Sequence, residues 1–276
     1  MRTMHDSSRS WLTIFARLGF AARGLVYLLI GIFAIDVALS GGQPSDNQGV
    51  LGTLAGAALG RLLLSLCALG FAGYAFWRLT EAALDPEMRA RNLKGKAERL
   101  GYALSGIVHA VLAATAARLA LRKDPAIHGS PGDDAAQSWS GWLLEQPAGP
   151  LLLTLVALIL FAVALAQAVK AYKGRFDELA GDVPAPRQVR WIGRAGYAAR
   201  ALVFAMMGWF LINVLLNRNP QEAGGLGAAL RELREQDHGP SLLLIVATGL
   251  VLFGSFSIVE AGYRQLKIVT PDLRRP

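Results

Sequence analysis

Apolar residues gather in six runs, near 19–39, 61–82, 100–121, 150–172, 196–216 and 241–262. Each is about 20 residues long, what a helix needs to cross a hydrocarbon core of about 30 Å at about 1.5 Å per residue. The run from Leu151, LLLTLVALILFAVALAQAV, is uncharged, whereas the third, ALSGIVHAVLAATAARLAL, is alanine-rich and carries His109 and Arg118. None keeps the continuous polar face that a helix of a soluble bundle turns to water. The pattern therefore predicts six membrane-spanning helices. The first run follows a basic start (Arg2, Arg9, Arg17) and ends near the small-residue stretch Ala38-Leu39-Ser40, as a signal peptide would. It exceeds the usual hydrophobic region of about 7–15 residues, and copies of it recur downstream, so it is expected to be a retained span.

Composition agrees with lipid as the solvent. Hydrophobic residues make up 53% and charged residues only 17%, with mean hydropathy +0.37, against about 25% charged in soluble domains. The 30 glycines suit membrane helices, whose backbones approach closely at small residues. A length of 276 residues would accommodate two soluble domains, but no polar stretch is long enough to be one. Cys67 stands alone, which excludes an internal disulfide and any multi-cysteine metal site. The net charge of +8 could speak for nucleic acid, but the basic loops at 89–99 and 187–194 lack the interleaved aromatics of such a surface. Membrane orientation accounts for them. Eighteen Lys and Arg lie at the N-terminus, the second and fourth connections and the C-terminus, against seven on the opposite side. By the positive-inside rule both termini are expected in the cytoplasm of a bacterial inner-membrane protein.

The chain repeats itself three times. Aligned on Arg17, Arg99 and Arg194 it reads RLGFAARGLVYL, RLGYALSGIVHA and RAGYAARALVFA; the first and third agree at 7 of 12 positions. The second helix of each unit aligns through Gly60, Gly149 and Gly239, spaced 89 and 90 residues apart. Two spans per unit make every unit enter the membrane from the same side, as parallel repeats. The expected architecture is all-α: six transmembrane helices, in three parallel two-helix repeats around a pseudo-threefold axis. The expected boundaries are a cytoplasmic tail at 1–14, repeats at 15–85, 97–175 and 190–265, and a cytoplasmic tail at 266–276. Which helices face the centre is open at this level.

The phrase ARLGFAARGLVYLLIG at Ala16–Gly31, kept in the third unit as GRAGYAARALVF, resembles the signature of a bacterial membrane family known as domain of unknown function 1206. The resemblance covers about 15–265, and the second unit departs from it with Ser105 in place of arginine. It implies a six-span membrane protein of three two-helix units, and implies no activity, substrate or catalytic residue.

Charges inside the spans are the candidate chemistry. Arg23 and Arg200 lie six residues beyond Arg17 and Arg194, about 9 Å deeper along a helix. Glu81 and Glu260 lie 21 residues after Gly60 and Gly239. Buried charge at this depth is costly unless paired or hydrated, so Arg23 is expected to meet Glu81, and Arg200 to meet Glu260, within or between units. The second unit changes both positions together, to Ser105 and Lys170. Such pairs could staple the hairpins, line a vestibule for an ion, proton or anionic solute, or hold anionic lipid headgroups. His109 replaces Tyr27 and Phe204 of the other units and is expected to be a packed polar group more than a proton relay. Cys67 reads as an apolar filler. Asp36, Arg118 and Asn213 share an equivalent place at the other face, where Asp36 and Arg118 are either a cross-unit pair or solvated helix ends.

Each outer connection contains a helix-like piece, at 49–60, 136–146 and 225–236, expected as an interfacial lid with Trp139 and Trp142 at headgroup level. Gly52, Gly56 and Gly60 form a small-xxx-small series. The outer acids Asp133, Asp134, Glu145, Glu235 and Asp237 read as solvated carboxylates. No P-loop, dinucleotide fingerprint, H-E-x-x-H or paired-cysteine motif occurs. No enzyme activity, cofactor or metal is expected. The residues set aside as a polar interior are Arg23, Glu81, Arg200, Glu260, Lys170 and His109. They serve either a three-repeat bundle that moves or senses a small solute or ion, or a non-transporting scaffold or stress-related assembly factor held by ion pairs. The expected partners are the bilayer, with its anionic headgroups, and an unknown solute or ion, but no nucleic acid.

Overall fold

In a computed structural model the described residues are 3–41, 44, 60–84, 93–121, 131–174 and 186–263. They form eight α-helices: α1 (Thr3–Ser40), α2 (Gly60–Leu84), α3 (Leu93–Leu121), α4 (Pro131–Leu144), α5 (Gly149–Lys173), α6 (Arg187–Asn217), α7 (Leu226–Glu235) and α8 (Gly239–Tyr263). A 3-10 turn, Pro220–Glu222, precedes α7. Long runs of Leu and Ala lose little rotamer freedom in a helix. Prolines fall near helix starts, as at Pro150, where a missing N–H costs nothing. Gly174 ends α5 with φ +57° and donates its N–H to Lys170 O at 3.0 Å, the left-handed stop that glycine makes easily.

Six of these helices (α1, α2, α3, α5, α6 and α8) are long and apolar enough to span a membrane, and they coincide with the six predicted runs. Helix α1 starts at Thr3, so the segment expected as an N-terminal tail is largely helical; the C-terminal tail lies outside the described residues. Large apolar side chains such as Leu62, Leu66, Leu151, Leu155 and Ile245 point outward, as they should where the surrounding solvent is hydrocarbon.

The spans pack in the order α3, α2, α1, α8, α6, α5, around a six-membered ring. The broadest interfaces are α8 with α1, α2 with α3, and α5 with α6. Each joins the second helix of one unit to the first helix of the next, cyclically. Helices of the same unit pack less, as α1 with α2 and α6 with α8, and α3 and α5 of the second unit at most brush. The hairpin is thus the unit of sequence but not the unit of packing.

Small residues explain the choice of neighbour. Seven residues past each boundary arginine stand Gly24, Gly106 and Ala201; fifteen past each leading glycine stand Ala75, Ala164 and Gly254. A Cβ on Gly24 would lie 2.8 Å from Gly254 O, and one on Gly254 would lie 2.7 Å from Gly24 O. A Cβ on Gly106 would come 3.3 Å from Ala75 O. Two inter-unit interfaces therefore meet at Gly/Gly and Gly/Ala, the small-residue contact that lets membrane helices touch backbone to backbone, and the equivalent positions on α5 and α6 are Ala164 and Ala201.

The boundary arginines add a second repeated contact. Arg99 donates from Nε to Ala82 O (2.8 Å) and from a terminal nitrogen to Ala83 O (3.2 Å). Arg194 does the same to Ala171 O (3.0 Å) and Tyr172 O (2.8 Å). Each arginine satisfies the orphan carbonyls ending the preceding unit's second helix, and its charge suits that end of the helix dipole.

At the opposite end α4 and α7 form lids that pack on each other and on the spans beneath. The first connection's segment, 49–60, lies outside the described residues except for Gly60. Helix α7 turns Ala229, Leu230 and Leu233 inward and keeps Glu235 outside. Asp133 corrects an expectation. It is not a solvated carboxylate but is 2% exposed, accepting from Gly225 N–H (2.7 Å) and pairing with Arg231 (2.8 Å). It ties the two lids together. Asp36, by contrast, is exposed and accepts from Ser40 (3.3 Å); Arg118 is exposed as well, and among the described residues the two form no ion pair. Cys67 is buried in the main apolar cluster beside Leu64 and Phe71, a filler as expected.

Candidate functional site: a basic chamber at the ring centre

All six spans contribute to one internal chamber of about 550 Å³. Its polarity changes along the membrane normal. At the end where α1, α3 and α6 begin their spans, the wall is Arg23, Arg78, Lys170, Arg200, Gln167, Ser105, Tyr74 and Tyr197. His109, Tyr27, Phe71 and Phe204 follow, and then Leu112, Leu160, Val203, Met207 and Leu250, with Leu226 of lid α7 at the far end. Four basic side chains line the wall and, among the described residues, no acidic one does.

The carboxylates sit behind the wall. Glu260 is 4% exposed and pairs with Arg23 at 2.6 Å, while Glu81 pairs with Arg78 at 2.8 Å, one turn away on its own helix. The expected partnership of Arg23 with Glu81, and of Arg200 with Glu260, is therefore corrected. The register read from the repeat is sound, but the partner lies across the inter-unit interface α8–α1. The hairpin's own helices do not bring these positions together. Tyr74 couples the two pairs, its hydroxyl accepting from Arg78 Nε (3.1 Å) and from Arg23 (3.4 Å).

Aromatic faces hold the cations in place. Arg23 lies 4.8 Å from the centre of the Phe20 ring, and Arg78 4.4 Å from that of Trp77. Lys170 Nζ lies 4.5 Å from the Tyr197 ring. Arg200 is set among Phe253 (4.3 Å), Tyr27 (5.2 Å) and Phe204 (5.2 Å). A cation on a ring face gains about 0.5–2 kcal/mol, less than burying a charge costs. Among the described residues Arg200 has no carboxylate partner, and its Nε, like Arg23 Nε and the Gln167 side-chain oxygen, is buried without a hydrogen bond.

His109 lines the chamber against the Tyr74 ring at 4.4 Å. Its Nδ1–H donates to Ser105 O at 2.7 Å, because a carbonyl can only accept. Among the described residues no group of three metal-ligating side chains comes together. The sequence singled out Arg23, Arg200, Lys170 and His109, which the wall brings together, and Glu81 and Glu260, which stand behind it. It missed Arg78, Tyr74 and Gln167. Arg78, Gln167 and Ser257 stand at one repeat position, 18 residues after each leading glycine, so the alignment held the signal for two of the three.

Fold and site together define a polytopic, all-helical membrane protein built from three parallel repeats around a central polar chamber. The sequence pattern described as Domain of Unknown Function (DUF1206) matches at residues 18–85, 100–174 and 195–264, and the chain belongs to this family. It is 31% identical over 270 residues to "Uncharacterized protein YxxB" of Bacillus subtilis (strain 168), covering 96% of each chain. No solved structure matches it.

Proposed function

We propose that the protein binds a small solute in its central chamber and carries or senses it in the bacterial inner membrane, with both termini in the cytoplasm. The observation that carries this reading is a chamber lined by all six spans whose wall takes basic side chains from four of them and, among the described residues, no acidic one. A scaffold stapled by ion pairs needs Arg23–Glu260 and Arg78–Glu81, but gains nothing from an Arg200 on the chamber wall with no acid partner among the described residues. Intramembrane charges kept at such cost mark pathways and binding sites. A volume of about 550 Å³ lies in the range of ligand sites, about 300–1,000 Å³. The wall selects negative charge. No catalytic step is assigned, and the chamber's work is binding.

The test is tracer uptake and equilibrium binding of small anions by purified protein in liposomes, with wild type beside Arg200→Ala. Anion binding or flux that falls at least tenfold in the variant supports the reading. A wild type that neither binds nor passes any anion would return the molecule to the scaffold class. The orientation is tested separately, by a C-terminal reporter active only in the cytoplasm.

A further inference from the structure

We infer that the chamber opens sideways, between α3 and α5, and that its ligand is an anionic amphiphile that enters from the bilayer, head to the basic wall and tail between these two helices. The inference rests on the binding reading above and names the ligand class of the same site. Three observations carry it.

The first is the break in the ring. Five of the six neighbour contacts are packed interfaces, and the sixth, α3 with α5, is not, although both helices line the chamber. Val108 on α3 and Ala166 on α5 belong to the chamber wall and are also exposed on the molecular surface, Val108 by 56%. Wall residues this exposed, on two neighbouring helices that do not pack together, mark the rims of an opening. The opening lies within the spans, so it faces acyl chains and not water. Helix α5 is also the least enclosed of the six, 17% of its span being buried against 50% for α8.

The second is the lengthwise gradient. Along α5 the wall runs from Lys170 to Leu160, ten residues or about 15 Å. Basic and polar groups occupy one end and leucines the other. A fully hydrated ion would leave the leucine half unused, and a plain hydrocarbon would leave Arg200 unneutralised. An anionic head joined to an apolar tail satisfies both. The third is Arg200 at the head end, a wall residue with no carboxylate partner among the described residues and an Nε buried without a hydrogen bond; a phosphate or carboxylate oxygen at its guanidinium would neutralise the charge.

The experiment uses the full chain purified in a neutral detergent, and reads binding by calorimetry and by shift of the unfolding temperature. The probes are decyl phosphate, methyl phosphate, decyltrimethylammonium and decyl maltoside. Decyl phosphate is expected to bind at least tenfold more tightly than each of the other three. Ala166→Trp, which narrows the opening, is expected to weaken it at least tenfold, and Arg200→Ala to do the same through the head. Equal binding of methyl and decyl phosphate would overturn lateral entry while leaving an anion-binding chamber intact. Equal binding of the phosphate and ammonium amphiphiles would overturn the anionic head. Binding of none of the four would overturn both this inference and the reading beneath it. These comparisons on wild type decide the matter even where a variant fails to fold.

Discussion

The α8–α1 and α5–α6 interfaces use the same repeat register for opposite ends. At α8–α1 the equivalent positions hold Glu260 and Arg23, which close at 2.6 Å over a Gly24/Gly254 backbone contact. At α5–α6 they hold Lys170 and Arg200, two cations on the chamber wall, with Ala164 and Ala201 at the positions equivalent to the two glycines. One interface pairs its arginine with a carboxylate; the other places Arg200 on the wall with no carboxylate partner among the described residues. The proposed site thus lies where a triplicated helix pair replaces a carboxylate with Lys170, on the helix beside the one neighbour contact that is not a packed interface.

The largest effect should come from breaking the sealed side. Glu260→Ala leaves Arg23 buried without its carboxylate and is expected to cost about 3–5 kcal/mol, read as a fall in unfolding temperature in detergent. The exchange Arg23→Glu with Glu260→Arg should recover much of that loss. Arg23→Glu with Glu81→Arg should not, because Glu81 belongs to Arg78. Gly254→Leu comes next. It drives a side chain into Gly24 O and Leu28, and overpacking of this kind costs about 1–3 kcal/mol or more. The same change at Ala164, already carrying a methyl group, should cost less. Asp133→Ala removes a buried acceptor from Gly225 N–H and Arg231, with an expected cost of about 1–3 kcal/mol, seen first as faster proteolysis of the lids. The smallest change in stability belongs to Arg200→Ala. It deletes a half-buried charge with no acid partner among the described residues and should leave unfolding unaltered or slightly later, while removing ligand binding.

Much of this was legible in the sequence because the two governing signals are periodic. Span length set the six helices; the boundary arginines Arg17 and Arg194 placed Arg23 with Arg200 at a common depth, and the 89- and 90-residue glycine spacing did the same for Glu81 and Glu260. Depth, however, is one coordinate, and pairing needs the angular one. Hairpin logic puts Glu81 beside Arg23; the glycines at 24 and 254 put α8 there instead, since only small residues let two backbones meet. The coincidence of Ser105 and Lys170 in one unit, read from the sequence as a coupled change, arises at two separate interfaces, Ser105 near Glu81's helix and Lys170 near Arg200's. Tyr74 and Phe253 were invisible for a different reason. An aromatic residue in an apolar span gives no sign of whether its face meets lipid or a guanidinium. Asp133 was misread because a loop acid looks solvated until its basic partner, 98 residues away, is folded against it.

The proposed binding role requires that Arg200 hold its positive charge for a ligand and not for the fold. The most direct test is the unfolding temperature of wild type and Arg200→Ala, each with and without decyl phosphate. The expected result is a ligand-free midpoint that does not fall in the variant, and a ligand-induced rise present in wild type and absent in the variant. A variant whose ligand-free midpoint collapses, or one that gains as much from the ligand as wild type does, would contradict it.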